Sequence, residues 1–439
     1  MKIHLASMGC ARNLVDSEEI LGRLQAAGCQ ITDNPEEAHA IIVNTCSFIE
    51  SAAQESVDVI LELAQLKQKG KCQNLIVTGC LPERYRENIA QQIPEVDLFL
   101  GTGAFDQIVQ AVNGTLKTPK CILPDPDSIA VPGPDVQRVQ SFSHMAYLKI
   151  AEGCSRHCTY CIIPRLRGKQ KSRNPEHILA EARRLAEKGV KEIVLVAQDS
   201  TAYGRDLGAE TGLSSLLKSL AALSQDIWIR VMYGHPESID ENIIRTMTEH
   251  DNICSYFDLP IQHASDKILK KMGRHHSSED LRGVFESIRK ADPNASLRTT
   301  VIVGFPGETE KDFRQLLAFA EEIRFDHLGV FTYSDADDLP SHNLAGHVPE
   351  KTAQERYDRL MGCQMEISAQ KNQKYLDRKL KTLIEELPES GVAEGRTWFQ
   401  APEVDGMVYV HHKGNLKIGE FVQVRITDTL EYDLVGETD

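Results

Sequence analysis

Residues 152–164 read EGCSRHCTYCIIP, which places Cys154, Cys158 and Cys161 in a C-x3-C-x2-C run. Three thiolates from one loop can hold a four-iron, four-sulfur (4Fe–4S) cluster. A cluster that only carries electrons is normally closed by four cysteines. Three leave one iron open, and an open iron can bind and cleave something. A structural zinc site wants four tetrahedral ligands, commonly from two cysteine pairs, and no second pair exists in the chain. A thioredoxin-like reading of Cys158 and Cys161 would leave Cys154 idle.

Working outward, the cysteine loop directly follows the apolar run AYLKIAEG. Five further runs, EIVLVAQD, IWIRVMYG, YFDLPI, LRTTVIVGFPG and HLGVFTYS, read as strands separated by helical stretches such as PEHILAEARRLAEKG. Six strand–helix units predict a partial (β/α) barrel over residues 140–370, with functional groups at the C-terminal ends of its strands. The cysteine loop sits where that rule would put it. Gln198 and Asp199 end another strand; they can face the same mouth or serve only as satisfied loop residues. Gly304 and Gly307 in VIVGFPGE allow either close backbone approach to a cofactor or an ordinary tight turn. RLRGKQKSR follows the loop. Such runs are mostly solvated, although Arg167 and Arg173 could hold an anionic group.

Residues 1–120 alternate strands (IHLAS, AIIVNT, NLIVTG) with amphipathic helices (SEEILGRLQAAG, SAAQESVDVILELAQLKQKG), and DLFLGTGAFDQIVQAV adds one more of each. This predicts an α/β domain with a mainly parallel sheet. Cys10, Cys46 and Cys80 each end one of its strands, 36 and 34 residues apart. Equivalent ends of parallel strands share one edge, so the three thiols are expected to converge on a second cluster. Cys29, Cys72, Cys121, Cys254 and Cys363 show no such placement. Residues 121–139, rich in proline, read as a linker or an arm laid along a neighbour. In residues 372–439 short strands (KLKTLIEEL, MVYVHH, EFVQVRITDTL, YDLVGE) predict a small OB-like β-barrel.

The 439-residue length calls for more than one domain. No apolar stretch reaches the roughly 20 residues of a membrane span, and MKIHLASMGC is too quickly polar for a secretory signal. The reading is cytoplasmic, where eleven cysteines favour ligation or burial over disulfides. A formal charge of −15 argues against a non-specific DNA or RNA binder and suits a basic protein partner.

EGCSRHCTYC after a strand, opening a barrel, resembles the radical S-adenosylmethionine superfamily. The two cysteine trios in this order, with GCARNLVDSE, NTCSFIESA and TGCLPERY in front and a TRAM-like barrel behind, narrow the resemblance to its methylthiotransferases. The resemblance implies two 4Fe–4S clusters, one held by Cys154, Cys158 and Cys161 and generating a radical, the other held by Cys10, Cys46 and Cys80 and handling sulfur. It also implies S-adenosylmethionine as methyl donor and radical source, and an external electron donor. Tyr160 falls where that family has an aromatic residue near the adenine; Gln198, Gly304 and Gly307 are the other candidate cofactor contacts.

The methylthiotransferases modify either adenosine in transfer RNA or the β-carbon of an aspartate in a small-subunit ribosomal protein of the decoding centre. GCARNLVDSE, LPIQHAS with His263 after Gln262, and APEVDG are similar to the ribosomal-protein branch. Gln400 stands where that branch has an aspartate, and Trp398 departs as well. From Gln373 onward there are 8 Lys and Arg against 13 Asp and Glu, a balance suited to a basic ribosomal protein rather than to phosphates. Trp398 and Phe399 read equally as partner anchors or as core. Rival readings are the transfer-RNA activity and a non-catalytic iron–sulfur or zinc protein.

Overall fold

The computed structural model describes residues 1–116, 119–128, 131–134, 137–208 and 211–438. Its first sheet holds β1 (Lys2–Ser7), β2 (Gln30–Ile31), β3 (Ala40–Thr45), β4 (Asn74–Gly79), β5 (Leu98–Leu100) and β6 (Cys121–Ile122) in the order β2-β1-β3-β4-β5-β6. All pairs are parallel. β3 is buried along its whole length because helices cover both faces of the sheet. The order reverses between β1 and β3, which opens a crevice at their C-terminal ends.

Helix α1 (Ala11–Ala26) starts directly after Cys10, six residues before the apolar pattern SEEILGRLQAAG begins. The first turns carry Asn13, Asp16, Ser17 and Glu18, polar residues buried against neighbours that periodicity cannot see. The sheet likewise continues into Cys121–Ile122, where proline-rich surroundings disguise a two-residue edge strand. Part of the expected linker lies along its neighbours: the Val139 N–H donates to the Glu18 carbonyl, and Arg138 pairs with Glu18 and Glu181. Positions 129, 130, 135 and 136 of that linker lie outside the described residues.

The central region has the six expected parallel strands. After β7 (Met145–Lys149), a short antiparallel pair, β8 (Ala151–Glu152) and β9 (Lys171–Ser172), brackets the cysteine loop. Then come β10 (Glu192–Val196), β11 (Trp228–Val231), β12 (Tyr256–Asp258), β13 (Ser296–Val303) and β14 (His327–Thr332). They form the runs β11-β10-β7 and β12-β13-β14, linked by a parallel bridge between Ile229 and Ile253. The barrel is therefore partial. Its lumen is packed by Met145, Tyr147, Val194, Trp228 and Tyr256 together with Ala11 and Val15 of α1 and Leu383 and Ala401 of the C-terminal region. Both flanking regions thus reach into it.

The C-terminal region is a closed barrel of β15 (Lys379–Glu389), β16 (Val392–Arg396), β17 (Val408–His411), β18 (Phe421–Thr429) and β19 (Leu434–Glu437). β16, GVAEGR in sequence, has too little apolar alternation to be read as a strand beforehand. Phe399 is buried and stacks on Tyr375 at 4.2 Å, and the Trp398 carbonyl accepts from Arg230 at 2.8 Å. Phe399 belongs to the core of the C-terminal barrel, and Trp398 packs at the contact between barrels. Gln400 is buried too; its Oε1 accepts from the Thr397 N–H at 3.1 Å.

The two barrels are joined by buried charge. Glu192 accepts from Arg230 at 2.7 Å and from Arg396 at 2.6 Å. Tyr147 and Tyr256 donate to Glu403 and Asp405 of APEVDG, each at 2.6 Å. Removing one member of such a set strands the others without solvent. Glu192→Ala is expected to cost about 3–5 kcal/mol, read as an earlier urea midpoint for loss of tertiary signal. An unchanged midpoint contradicts this account of the contact.

Candidate functional site

Cys10, Cys46 and Cys80 follow β1, β3 and β4 at the reversal crevice. Gly9, with φ +90°, lies so close to Cys46 that a Cβ on it would sit 2.6 Å from the Cys46 Cβ. Burial raises the Cys46 thiol and pushes Cys80 up to about 11. Burial also acts to raise Cys10, but Arg12, the Asn13 N–H and Arg167 bring it below its ordinary value. Cys10 and Cys46 are both electrostatic neighbours of Cys80.

In the barrel loop, the Cys154 N–H donates to the Gly168 carbonyl at 2.9 Å and the Cys161 N–H to the Cys158 carbonyl at 3.1 Å. Burial raises the Cys154 thiol and pushes Cys161 up to about 12, with the nearby sulfurs of Cys158 and Cys154 adding to the rise at Cys161. Among the described residues no three His, Cys, Asp or Glu side chains close on a single metal ion. Each trio offers three soft sulfur donors, and the barrel trio lines one cavity, which suits an iron–sulfur cluster.

The first domain contributes to the cavity of the barrel trio. Arg12 and Phe48 from the first domain line the same cavity as Cys154, Cys158, Tyr160, Cys161 and Gln198. Tyr160 is held by Arg274, whose Nη2 donates to its hydroxyl at 2.8 Å, and its ring meets Phe305 edge-on. Gln198 donates to Glu152 at 2.7 Å, while its Oε1 is buried with no partner. An orphaned acceptor on a cavity wall fits a ligand that brings an N–H. Asp199 accepts from Arg156 at 3.2 Å and caps the turn Ser200–Ala202.

Gly304 and Gly307 have φ of +78° and +84°. A Cβ at Gly304 would meet Ala353 at 2.5 Å and one at Gly307 would meet Lys271. Their backbone forms a tight turn against those neighbours, and neither lines the cavity. Arg173 is buried on the Lys149 carbonyl and Glu181.

A buried ionic network locks the first domain onto the barrel. Arg167 donates to Asp16 at 2.6 Å, to Asn13 at 3.1 Å and toward the Cys80 sulfur at 3.6 Å. Lys149 bridges Asp16 and Glu152, the latter at 2.8 Å, and Glu152 opens the cysteine loop. Sequence reasoning missed Arg12, Tyr233 and Arg274. Arg12 stands in the quoted motif GCARNLVDSE and Tyr233 ends a strand, so both carried a positional signal; Arg274, in KKMGRHH, carried none.

The comparisons define the class first. Residues 148–320 match the radical SAM superfamily, residues 2–101 the uncharacterized protein family UPF0004, and residues 378–438 the TRAM domain. In fold, the chain resembles the radical S-adenosylmethionine methyltransferase TsrM of Kitasatospora setae, with TM-score 0.59 and 12% identity over 78% of this chain and 77% of that one. It is 52% identical to the ribosomal protein uS12 methylthiotransferase RimO of Desulfosudis oleivorans over 100% of both chains. It is 50% identical to that of Clostridioides difficile over 100% of this chain and 98% of the other. The chain belongs to the RimO family of radical S-adenosylmethionine methylthiotransferases. Enzymes of this class use S-adenosylmethionine and two 4Fe–4S clusters.

Glu19, beside the network, is raised to about 7, chiefly by burial. The folded state therefore holds this proton more tightly than the unfolded chain does, whose glutamate releases it near pH 4.5. Stability from this group is full below about pH 4.5 and is lost as pH rises through about 7. Glu19→Gln is expected to remove that loss, so that the variant gains on the wild type between pH 5 and pH 8 in urea midpoint measurements. Parallel pH profiles contradict it.

Proposed function

We propose that this chain methylthiolates the β-carbon of an aspartate of ribosomal protein uS12, with Cys154, Cys158 and Cys161 holding the radical-generating cluster and Cys10, Cys46 and Cys80 the sulfur-handling one. The observation that carries the reading is the shared cavity: residues of the first domain and the barrel trio line one space, as transfer between two centres requires. When bound, the clusters and S-adenosylmethionine supply the electron, the hydrogen-abstracting radical, and the sulfur and methyl group that are inserted.

The chain's own residues position and seal. Gln198 presents its unpartnered oxygen to the cofactor, and Tyr160, fixed by Arg274, forms the wall beside the loop. Phe48, Pro164 and Pro260 line the cavity with apolar surface, which keeps water from a reactive carbon centre. The acidic excess of the chain assists encounter with a basic ribosomal protein. Reduction comes from an external electron donor, and the work is cytoplasmic, where the ribosomal substrate is. Among the described residues no helix is long and apolar enough to cross a membrane.

Reconstituted enzyme incubated separately with uS12 and with transfer RNA is expected to add a methylthio mass to an aspartate of uS12 alone. A gain only on RNA refutes the substrate. Cys158→Ala is expected to abolish 5′-deoxyadenosine formation, whereas Cys46→Ala abolishes the methylthio product but not that cleavage. Full product formation by either variant overturns the assignment of the trios.

A further inference from the structure

Three arginines line the cavity between the trios, and they differ in what neutralises them. Arg156 is paired with Asp199 at 3.2 Å and Glu237 at 2.6 Å. Arg274 is committed to Tyr160 and His235. Arg12 donates through Nη1 to the Ala197 carbonyl at 3.0 Å, lies 4.5 Å over the Tyr233 ring, and has Cys10 as an electrostatic neighbour. Among the described residues no carboxylate pairs with it. By contrast Arg84, Arg138, Arg167 and Arg173, buried arginines around this contact, each have one. A cavity-lining guanidinium with no carboxylate partner is open to an incoming one.

The platform beneath it is also built at a cost. Tyr233 has φ +60°, a left-handed conformation that a bulky residue rarely adopts, and its N–H is held by Asp258 at 2.9 Å. Strain of this kind persists where the surroundings impose it, characteristically at ligand sites. Tyr233 is thereby turned into the cavity, with the planar cation on its face. A guanidinium carries five donors in a fork that matches a carboxylate. Its hydrogen bond to Ala197 leaves part of that fork free.

We infer that Arg12 is the receptor for the side-chain carboxylate of the substrate aspartate. The inference rests on the function proposed above and adds the residue that selects the substrate. The reacting β-carbon is one bond from the carboxylate carbon, so a group that grips the carboxylate fixes the carbon. Arg12 is at once a neighbour of Cys10 and a wall of the cavity at Cys154 and Cys158. A carboxylate there brings the β-carbon into the gap between the trios and gives Arg12 the carboxylate partner it lacks. A nucleobase offers no anion at that position, so the same arginine favours protein over RNA.

The test compares wild type, Arg12→Met and Arg12→Lys on uS12 and on uS12 with the target aspartate changed to asparagine. Each preparation is measured for kcat/KM, iron content and cluster reduction potentials. Wild type is expected to prefer aspartate by at least about 100-fold, since a site built for a charged partner strongly rejects its neutral isostere. Arg12→Met is expected to lose roughly 100-fold on the aspartate substrate and most of the discrimination, with iron content and potentials held; Arg12→Lys, keeping charge but not the fork, falls between. Retained discrimination in Arg12→Met overturns the inference. So does a loss accompanied by a shifted potential of the first-domain cluster, which would make Arg12 a counter-ion of that cluster only. A wild type that modifies neither protein defeats the proposed function itself.

Discussion

Asp16 and Arg167 meet at 2.6 Å in a place where neither can reach water, and the site depends on that contact. One comes from the first turns of α1, just behind Cys10; the other ends the short helix behind the barrel's cysteine loop. Lys149 and Glu152 extend the pair to the end of β7 and the start of the loop. Ions so buried gain little net stability over a packed apolar contact, but a misplaced one costs several kcal/mol. The network therefore works as a register: it seats the first domain on the barrel in the one arrangement that leaves no charge stranded.

The second junction follows the same logic. APEVDG does not display its acids to solvent; Glu403 and Asp405 take hydroxyl protons from Tyr147 and Tyr256 of the barrel strands, and Arg396 shares Glu192 with Arg230. The C-terminal barrel is seated on the radical barrel through residues that read, in isolation, as an acidic surface. Part of its negative charge is thus spent internally, and the acidity left for a basic partner is smaller than composition suggests.

Much of this was legible beforehand, for identifiable reasons. The six central strands are apolar runs, four of them buried along their whole length, so composition alone reveals them. The cysteines at strand ends were readable because parallel topology brings equal positions to one edge. What stayed hidden depends on pairing across long sequence distances. Nothing in RLRGKQKSR separates Arg167, buried against Asp16 and Cys80, from Lys169, which is exposed. The early start of α1 and the strand β16 were obscured in the same way, by polar residues whose partners lie elsewhere in the chain.

The central claim is that two centres are held at close quarters by buried charge. Pulsed electron paramagnetic resonance on the reconstituted, reduced protein measures it directly, through the dipolar coupling between clusters. The account predicts two coupled clusters in the wild type, and in Asp16→Ala two clusters still present with the coupling weakened or spread over many distances. Two clusters without coupling in the wild type, or a coupling that Asp16→Ala leaves untouched, would contradict it.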